Sequence, residues 1–293
     1  MFPIHLNLGF RELFFYEGFY FLAAMITGFA AGRRLAVKKA GITKEQFESL
    51  IVGCLISAVL GIRLSHFIFW DPESLLRNPL KFFYFWEGGA SVVGGLIFGI
   101  LFGWFYCIKK GLAFWKIFAA ISPGLLLGQA VGRIGCFLNG DAHGVASNLP
   151  WAVRFARYGT EIPSFKIKTG ISSAPWIWSF NNNLVDASTK RSAPLHPTQL
   201  YESLGDLVLM GLVLFVFKIL SKKKLNMAPV LFIHTGGYAL MRAMLQFIRT
   251  DRSRIIFLGM SYLQIILLAW ALFSLVMISI LLIVKREEKI SAE

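Results

Sequence analysis

Gly132-Arg133-Ile134-Gly135-Cys136-Phe137-Leu138-Asn139-Gly140-Asp141-Ala142-His143-Gly144 follows an apolar run of membrane-spanning length and opens the longest polar segment of the chain. Four of these thirteen residues are glycine, which lets backbone approach a ligand or bend where a side chain would block it. Arg133, Asn139, Asp141 and His143 stand among them. A cation framed by glycine at the lip of a bilayer suits an anionic lipid headgroup, because a guanidinium pairs with phosphate oxygens and keeps its charge. The plainer reading of the same residues is a membrane-exit turn with a snorkelling arginine. Both readings require a membrane.

The remaining sequence supplies one. Its 293 residues are 56% hydrophobic, with a mean hydropathy of +0.62. Runs long enough to cross a bilayer lie near 14–34, 47–69, 85–108, 112–131, 199–220, 228–248 and 257–284. The last is longer than a bilayer needs, so part of it would tilt or project. These runs predict an all-α polytopic membrane protein of about seven transmembrane helices. Residues 133–197 form a small external cap of extended strands or loops between the fourth and fifth spans, and 1–293 make a single membrane domain. The N-terminus lacks a basic region and a cleavage site, so the first run reads as a retained span.

The formal charge of +14 is carried by short segments between the runs. Arg33, Arg34, Lys38, Lys39 and Lys44 follow the first run; Lys109, Lys110 and Lys116 the third; Lys218, Lys222, Lys223 and Lys224 the fifth; Lys285, Arg286 and Lys289 the last. With seven spans all four groups share one side, which places the N-terminus outside and the C-terminus in the cytoplasm. Charge so distributed faces a negative leaflet and argues against nucleic acid as a partner.

Ionisable groups inside spans are costly and mark function or internal pairing. Glu17, Arg63, Glu87, Arg133, Glu202, Arg242, Gln246 and Gln264 all fall on the outer side of the midplane at about 1.5 Å per residue. That predicts a polar cavity open to the outer leaflet, rich in arginine and suited to a phosphate-bearing lipid. Private pairing, Arg63 with Glu17 or Arg242 with Glu202, is the competing structural account. Cys54, Cys107 and Cys136 lack metal-ligand spacing, and no HExxH, GxSxG or CxxC occurs, so neither a metal site nor a serine hydrolase is expected. His143 and His196 lie on the outer side as proton acceptors, His5 and His66 read as solvated, and His234 reads as a packing residue.

Several stretches together resemble the prolipoprotein diacylglyceryl transferase family: Gly132 to Gly144, His196-Pro197-Thr198-Gln199-Leu200-Tyr201-Glu202, Trp86-Glu87-Gly88-Gly89-Ala90-Ser91 with Gly94-Gly95, and Tyr238 to Arg242. The resemblance implies an enzyme of the bacterial inner membrane with a periplasmic cap. It would move the diacylglyceryl group of phosphatidylglycerol to the lipobox cysteine of prolipoprotein signal peptides and release glycerol 1-phosphate, with no cofactor. By motif match Arg133 and Arg242 take the roles of essential arginines. Asn139, Gly144, Tyr201, Glu202, Tyr238 and Gln246 would bind substrate, beside the membrane lipid itself.

The chain departs from the family pattern at Val93, where histidine is usual, at Cys136 for asparagine, at Asp141 for glutamate and at Gln246 for glutamate. A free thiol is already a few per cent ionised at neutral pH, with a pKa of about 8.5, and a general base adds roughly 10²–10⁴-fold. His143, His196 or Asp141 could supply that base. A relative that binds phospholipid or precursor without transfer is the alternative. A transporter would need polar residues on both sides of the midplane and repeated halves, and the sequence has neither.

Overall fold

The computed structural model describes residues 4–7, 12–15, 17–69, 71–84, 92–157, 173–252 and 255–290. Glu87 with its glycine-rich neighbours 86–91, and the side chains of His5 and Glu17, lie outside what is described. The chain divides into two compact units, Arg33–Ile121 and Met1–Gly32 with Ser122–Glu293.

In the Arg33–Ile121 unit, a capping box starts the long helix that gives this unit its length. Thr43 N–H donates to Gln46 Oε1 at 3.0 Å and Gln46 N–H to Thr43 Oγ1 at 3.2 Å. With α1 assigned to Glu17–Leu35, which begins in the other unit, this helix is α2, Lys44–Phe69. A short α3 (Pro72–Arg77) capped by Asp71 and a 3-10 turn (Pro79–Phe83) follow, and then α4 (Val92–Lys109). A Cβ on Gly94 would sit 2.3 Å from the Gly61 carbonyl oxygen, so α2 and α4 touch backbone to backbone, the small-residue contact that membrane helices use. Arg63 is only 3% exposed. Its guanidinium donates to the carbonyls of Lys81 (2.6 Å), Phe82 (3.1 Å) and Tyr84 (3.2 Å) and lies over the Phe67 ring, which ties the chain after α3 to α2. The described contacts of Arg63 are thus structural.

The other unit holds the hairpin β1 (Ile4–Asn7) and β2 (Glu12–Phe15), most of α1, and the Ser122–Asn139 part of α5 (Phe114–Asn139). It also holds α6 (Ala174–Asn181), α7 (Thr198–Lys222), α8 (Ala228–Leu245), the small hairpin β3 (Ile255–Phe257) and β4 (Met260–Ser261), and α9 (Tyr262–Ile290). α7 shows why the sequence folds this way. Gln199, Glu202, Ser203, Asp206, Leu209, Val213, Phe217 and Leu220 recur at helical spacing and are all buried, while Leu204, Val208, Leu212 and Phe215 are exposed. The buried stripe is polar over its first three turns and apolar after that. His234 is buried with Nδ1 against the Ser122 hydroxyl, a satisfied packing position.

Two expectations need correcting. α5 does not stop at residue 131 but runs through Arg133 to Asn139, and the turn comes only at Gly140, with φ of 81°. Nothing in Arg133–Leu138 breaks a helix, and Gly135 serves close packing on Tyr20. The last apolar run does not begin as helix at 257: it opens in the β3–β4 hairpin, turned at Leu258 and Gly259 with φ of 46° and 71°.

Among the described residues, four helices are long and apolar enough to cross a membrane: Lys44–Phe69, Phe114–Asn139, Thr198–Lys222 and the Tyr262–Ile283 part of α9. Val93–Lys109 is a shorter apolar helix. Large exposed apolar side chains such as Phe21, Val208 and Leu272 run along the helices, a surface that lipid stabilises and water would not. The chain is a helical, multi-pass membrane protein.

Candidate functional site

The polar face of α7 carries Glu202, which has no exposed surface. Three arginines from three different segments close on its carboxylate. Arg133, in the last two turns of α5, pairs through Nε with Oε2. Arg242, in the last turn of α8, puts Nη1 2.7 Å from Oε1, and Arg249, just beyond α8, puts Nη1 3.1 Å from the same oxygen. Asp251 holds Arg249 from the far side with a fork, Nε to Oδ1 at 2.8 Å and Nη2 to Oδ2 at 2.6 Å. Arg242 Nη2 lies 3.8 Å from Asp251 Oδ2.

In these ion pairs three guanidiniums share two carboxylates, an arginine-rich setting that suits a phosphodiester anion, and the buried Asp206 carboxyl stands one turn along α7 from Glu202. Arg133 is the most open of the three at 23% exposed, against 14% for Arg242 and 2% for Arg249. Tyr238, one turn before Arg242 on α8, lies beside Arg133. Gln246 is buried, its amide nitrogen reaching the Asp251 carbonyl at 3.5 Å and its Oε1 unpaired among the described residues.

A small extended patch positions Arg249. Gly144 N–H donates to the His196 carbonyl at 2.9 Å, Val145 N–H to the Ile248 carbonyl at 2.8 Å, and Gly144 bridges Arg249. A Cβ on Gly144 would come within 2.6 Å of His196 Cβ and 2.8 Å of the Ile248 oxygen, so only glycine lets the three segments meet. Asn139 Nδ2 donates to Asp141 Oδ2 at 3.0 Å, and the Asp141 carbonyl takes Gln199 Nε2 at 2.5 Å. Tyr201, next to Glu202, accepts from Trp151 Nε1 at 2.7 Å and lies 3.3 Å from His196 Nδ1. Arg133, Glu202, Arg242 and Tyr238 therefore form one cluster, His196 with Tyr201 a second group, and Asn139 with Asp141 a third.

His143 packs between Phe155 and Trp178, with Nδ1 3.2 Å from the Gly144 carbonyl. Burial holds its pKa below the ordinary 6.5, and the nearby Arg249 charge pushes the same way, against the Gly144 carbonyl and Asp251. Burial likewise lowers His196. Burial would raise Asp251, but the Arg249 hydrogen bonds and the charges of Arg249 and Arg242 win and hold it below 3.8. All three shifts carry the same sign for stability. Each group binds fewer protons folded than unfolded, so stability rises with pH. The histidine contribution is complete above about pH 6.5 and fades as pH falls below it. The Asp251 contribution is complete above about pH 4 and fades below that. Thermal unfolding in detergent is expected to show a flat midpoint from pH 8 to 7, a decline from 6.5 downward, and a flatter upper step in His143→Phe.

The family model for prolipoprotein diacylglyceryl transferase matches residues 3–283. The chain belongs to this family. Among its relatives, the phosphatidylglycerol–prolipoprotein diacylglyceryl transferase of Bordetella bronchiseptica is 32% identical over 250 residues, 84% of this chain and 82% of that protein. The protein of the same name from Neisseria meningitidis is 29% identical over 264 residues, 88% of each chain. That of Gloeobacter violaceus is 29% identical over 231 residues, 78% and 75%.

In this family member, Arg133, Arg242 and Glu202 stood out in the sequence, whereas Arg249, Asp251 and Asp206 did not. Arg249 and Asp251 lie past the end of the apolar run and read as loop charges. Asp206 carried a usable signal, an ionisable residue inside a span, one turn from Glu202.

Proposed function

We propose that this protein transfers the sn-1,2-diacylglyceryl group of phosphatidylglycerol to the lipobox cysteine thiol of prolipoproteins and releases glycerol 1-phosphate. The observation that carries this reading is that Arg133 and Arg242, with Arg249, share the buried Glu202 carboxylate, three guanidiniums to two carboxylates in the described ion pairs. Guanidiniums so held grip the lipid phosphate and stabilise charge as it grows on the departing phosphoester. Asn139, Gly144, Tyr201, Glu202, Tyr238 and Gln246 line or brace the substrate site, and His196, His143 and Asp141 are the outer groups read from sequence as acceptors of the thiol proton. The seven long helices cross the bacterial inner membrane with the N-terminus periplasmic and the C-terminus cytoplasmic. The segment between α5 and α7, residues 140–197, then makes the periplasmic cap of a single membrane domain.

Val93, half-exposed on α4 where the family has histidine, favours a second reading: a relative that binds phospholipid or precursor without transfer. One experiment separates the two. The purified protein, in vesicles containing phosphatidylglycerol with a lipobox peptide, is expected to release glycerol 1-phosphate and thioether-linked peptide in equal amounts. It is also expected to sustain growth of a strain depleted of its own transferase. Phosphatidylglycerol binding without release selects the second reading.

A further inference from the structure

Asp206 is fully enclosed, and neither of its carboxyl oxygens has a hydrogen-bond partner among the described residues. An unpaired buried carboxyl opposes folding, so its position serves no structural purpose that packing explains. It follows Glu202 by four residues on α7, which puts the two carboxyls on one face, about 6 Å apart along the helix axis. The Arg133 and Glu202 charges both act on it.

The inference rests on the proposed transfer and membrane orientation. α7 enters the bilayer at its Glu202 end, so Asp206 lies deeper than the arginine cluster. With the phosphate at Arg133 and Arg242 and the acyl chains running inward, the glycerol carbon that carries the phosphate lies on the deep side of the cluster. In-line displacement brings the sulfur in opposite the leaving oxygen, deeper again. The other proton acceptors read from sequence are engaged: His143 with Gly144 and Thr250, His196 with Tyr201, Asp141 with Asn139.

We propose that Asp206 is the catalytic base that takes the proton of the incoming cysteine thiol. The S–H proton passes to a free carboxylate oxygen of Asp206 while sulfur bonds to the glycerol carbon. The carbon–oxygen bond to phosphate breaks, and its electron pair leaves with glycerol 1-phosphate.

The test is Asp206→Asn in full-length protein, in phosphatidylglycerol vesicles with the lipobox peptide. The expected result is a kcat loss of about 10²–10⁴-fold. The KM for phosphatidylglycerol should stay within about threefold, since uniform binding is untouched. Activity should recover about tenfold per pH unit toward the thiol pKa, as ionised peptide replaces the lost base. Asp206→Leu should melt no lower than the wild type and show the same kcat loss. Near-normal kcat in either variant overturns the assignment. So does a loss that higher pH leaves unchanged, or failure of both variants to fold. A wild-type protein that releases no glycerol 1-phosphate overturns the transferase reading itself, and this assignment with it.

Discussion

Glu202→Ala lowers unfolding stability by about 3–5 kcal/mol, the cost of removing one partner from a buried ion-paired network. The carboxylate has no exposed surface and holds Arg133, Arg242 and Arg249 together. Without it, the three guanidiniums keep only the half-exposed Asp251 as an ion-pair partner among the described residues, and its fork is already committed to Arg249. Glu202→Gln should cost nearly as much, because it keeps the volume and loses the charge. The diagnostic measurement is thermal unfolding with and without added inorganic phosphate. An anion that takes the vacated place should raise the midpoint of Glu202→Ala more than that of the wild type. Equal midpoints for the variant and the wild type would mean that the arginines are solvated and the cluster does not form.

Helix positions were legible because bilayer length imposes a period of about twenty residues that hydropathy reports directly. Helix ends were not. Gly132, Gly135 and Asn139 look like exit signals, yet α5 passes through all three, because those glycines spare room for a neighbouring helix and no proline follows. The 257–261 part of the β3–β4 hairpin was absorbed into an apolar run because Phe257, Leu258 and Met260 are as hydrophobic as any span, and only Gly259 marks the turn. In the site, depth along the spans found Arg133, Arg242 and Glu202. Pairing of Arg242 with Glu202 stood in the sequence only as the competing, private account, and sharing among three cations depends on Arg249, whose segment bridges to Gly144. No one-dimensional pattern encodes that bridge. Arg63, which the sequence puts at a similar depth, has its described hydrogen bonds to backbone carbonyls, so depth read from sequence does not by itself mark an arginine as functional.

That distinction sets the expected order of the arginine variants. Arg133 engages Glu202 through Nε, and no described carboxylate takes its terminal nitrogens, so on the proposed reading they are the ones that meet the phosphate. Arg133→Ala should cost about 10²–10³-fold in kcat/KM for lipid labelling of a lipobox peptide, the loss typical of one preorganised donor to a developing oxyanion. Arg133→Lys should recover little, because an ammonium cannot pair bidentately with phosphate oxygens. Arg242→Ala should fall in the same range, and the double variant well short of the product of the two, since both cations act on one anion. Arg249 is different: nearly enclosed and doubly bonded to Asp251, it should lose stability before it loses rate per folded molecule. Labelling of wild-type extent by Arg133→Ala, in protein that melts normally, would assign the phosphate to other residues and leave the cluster a purely structural role.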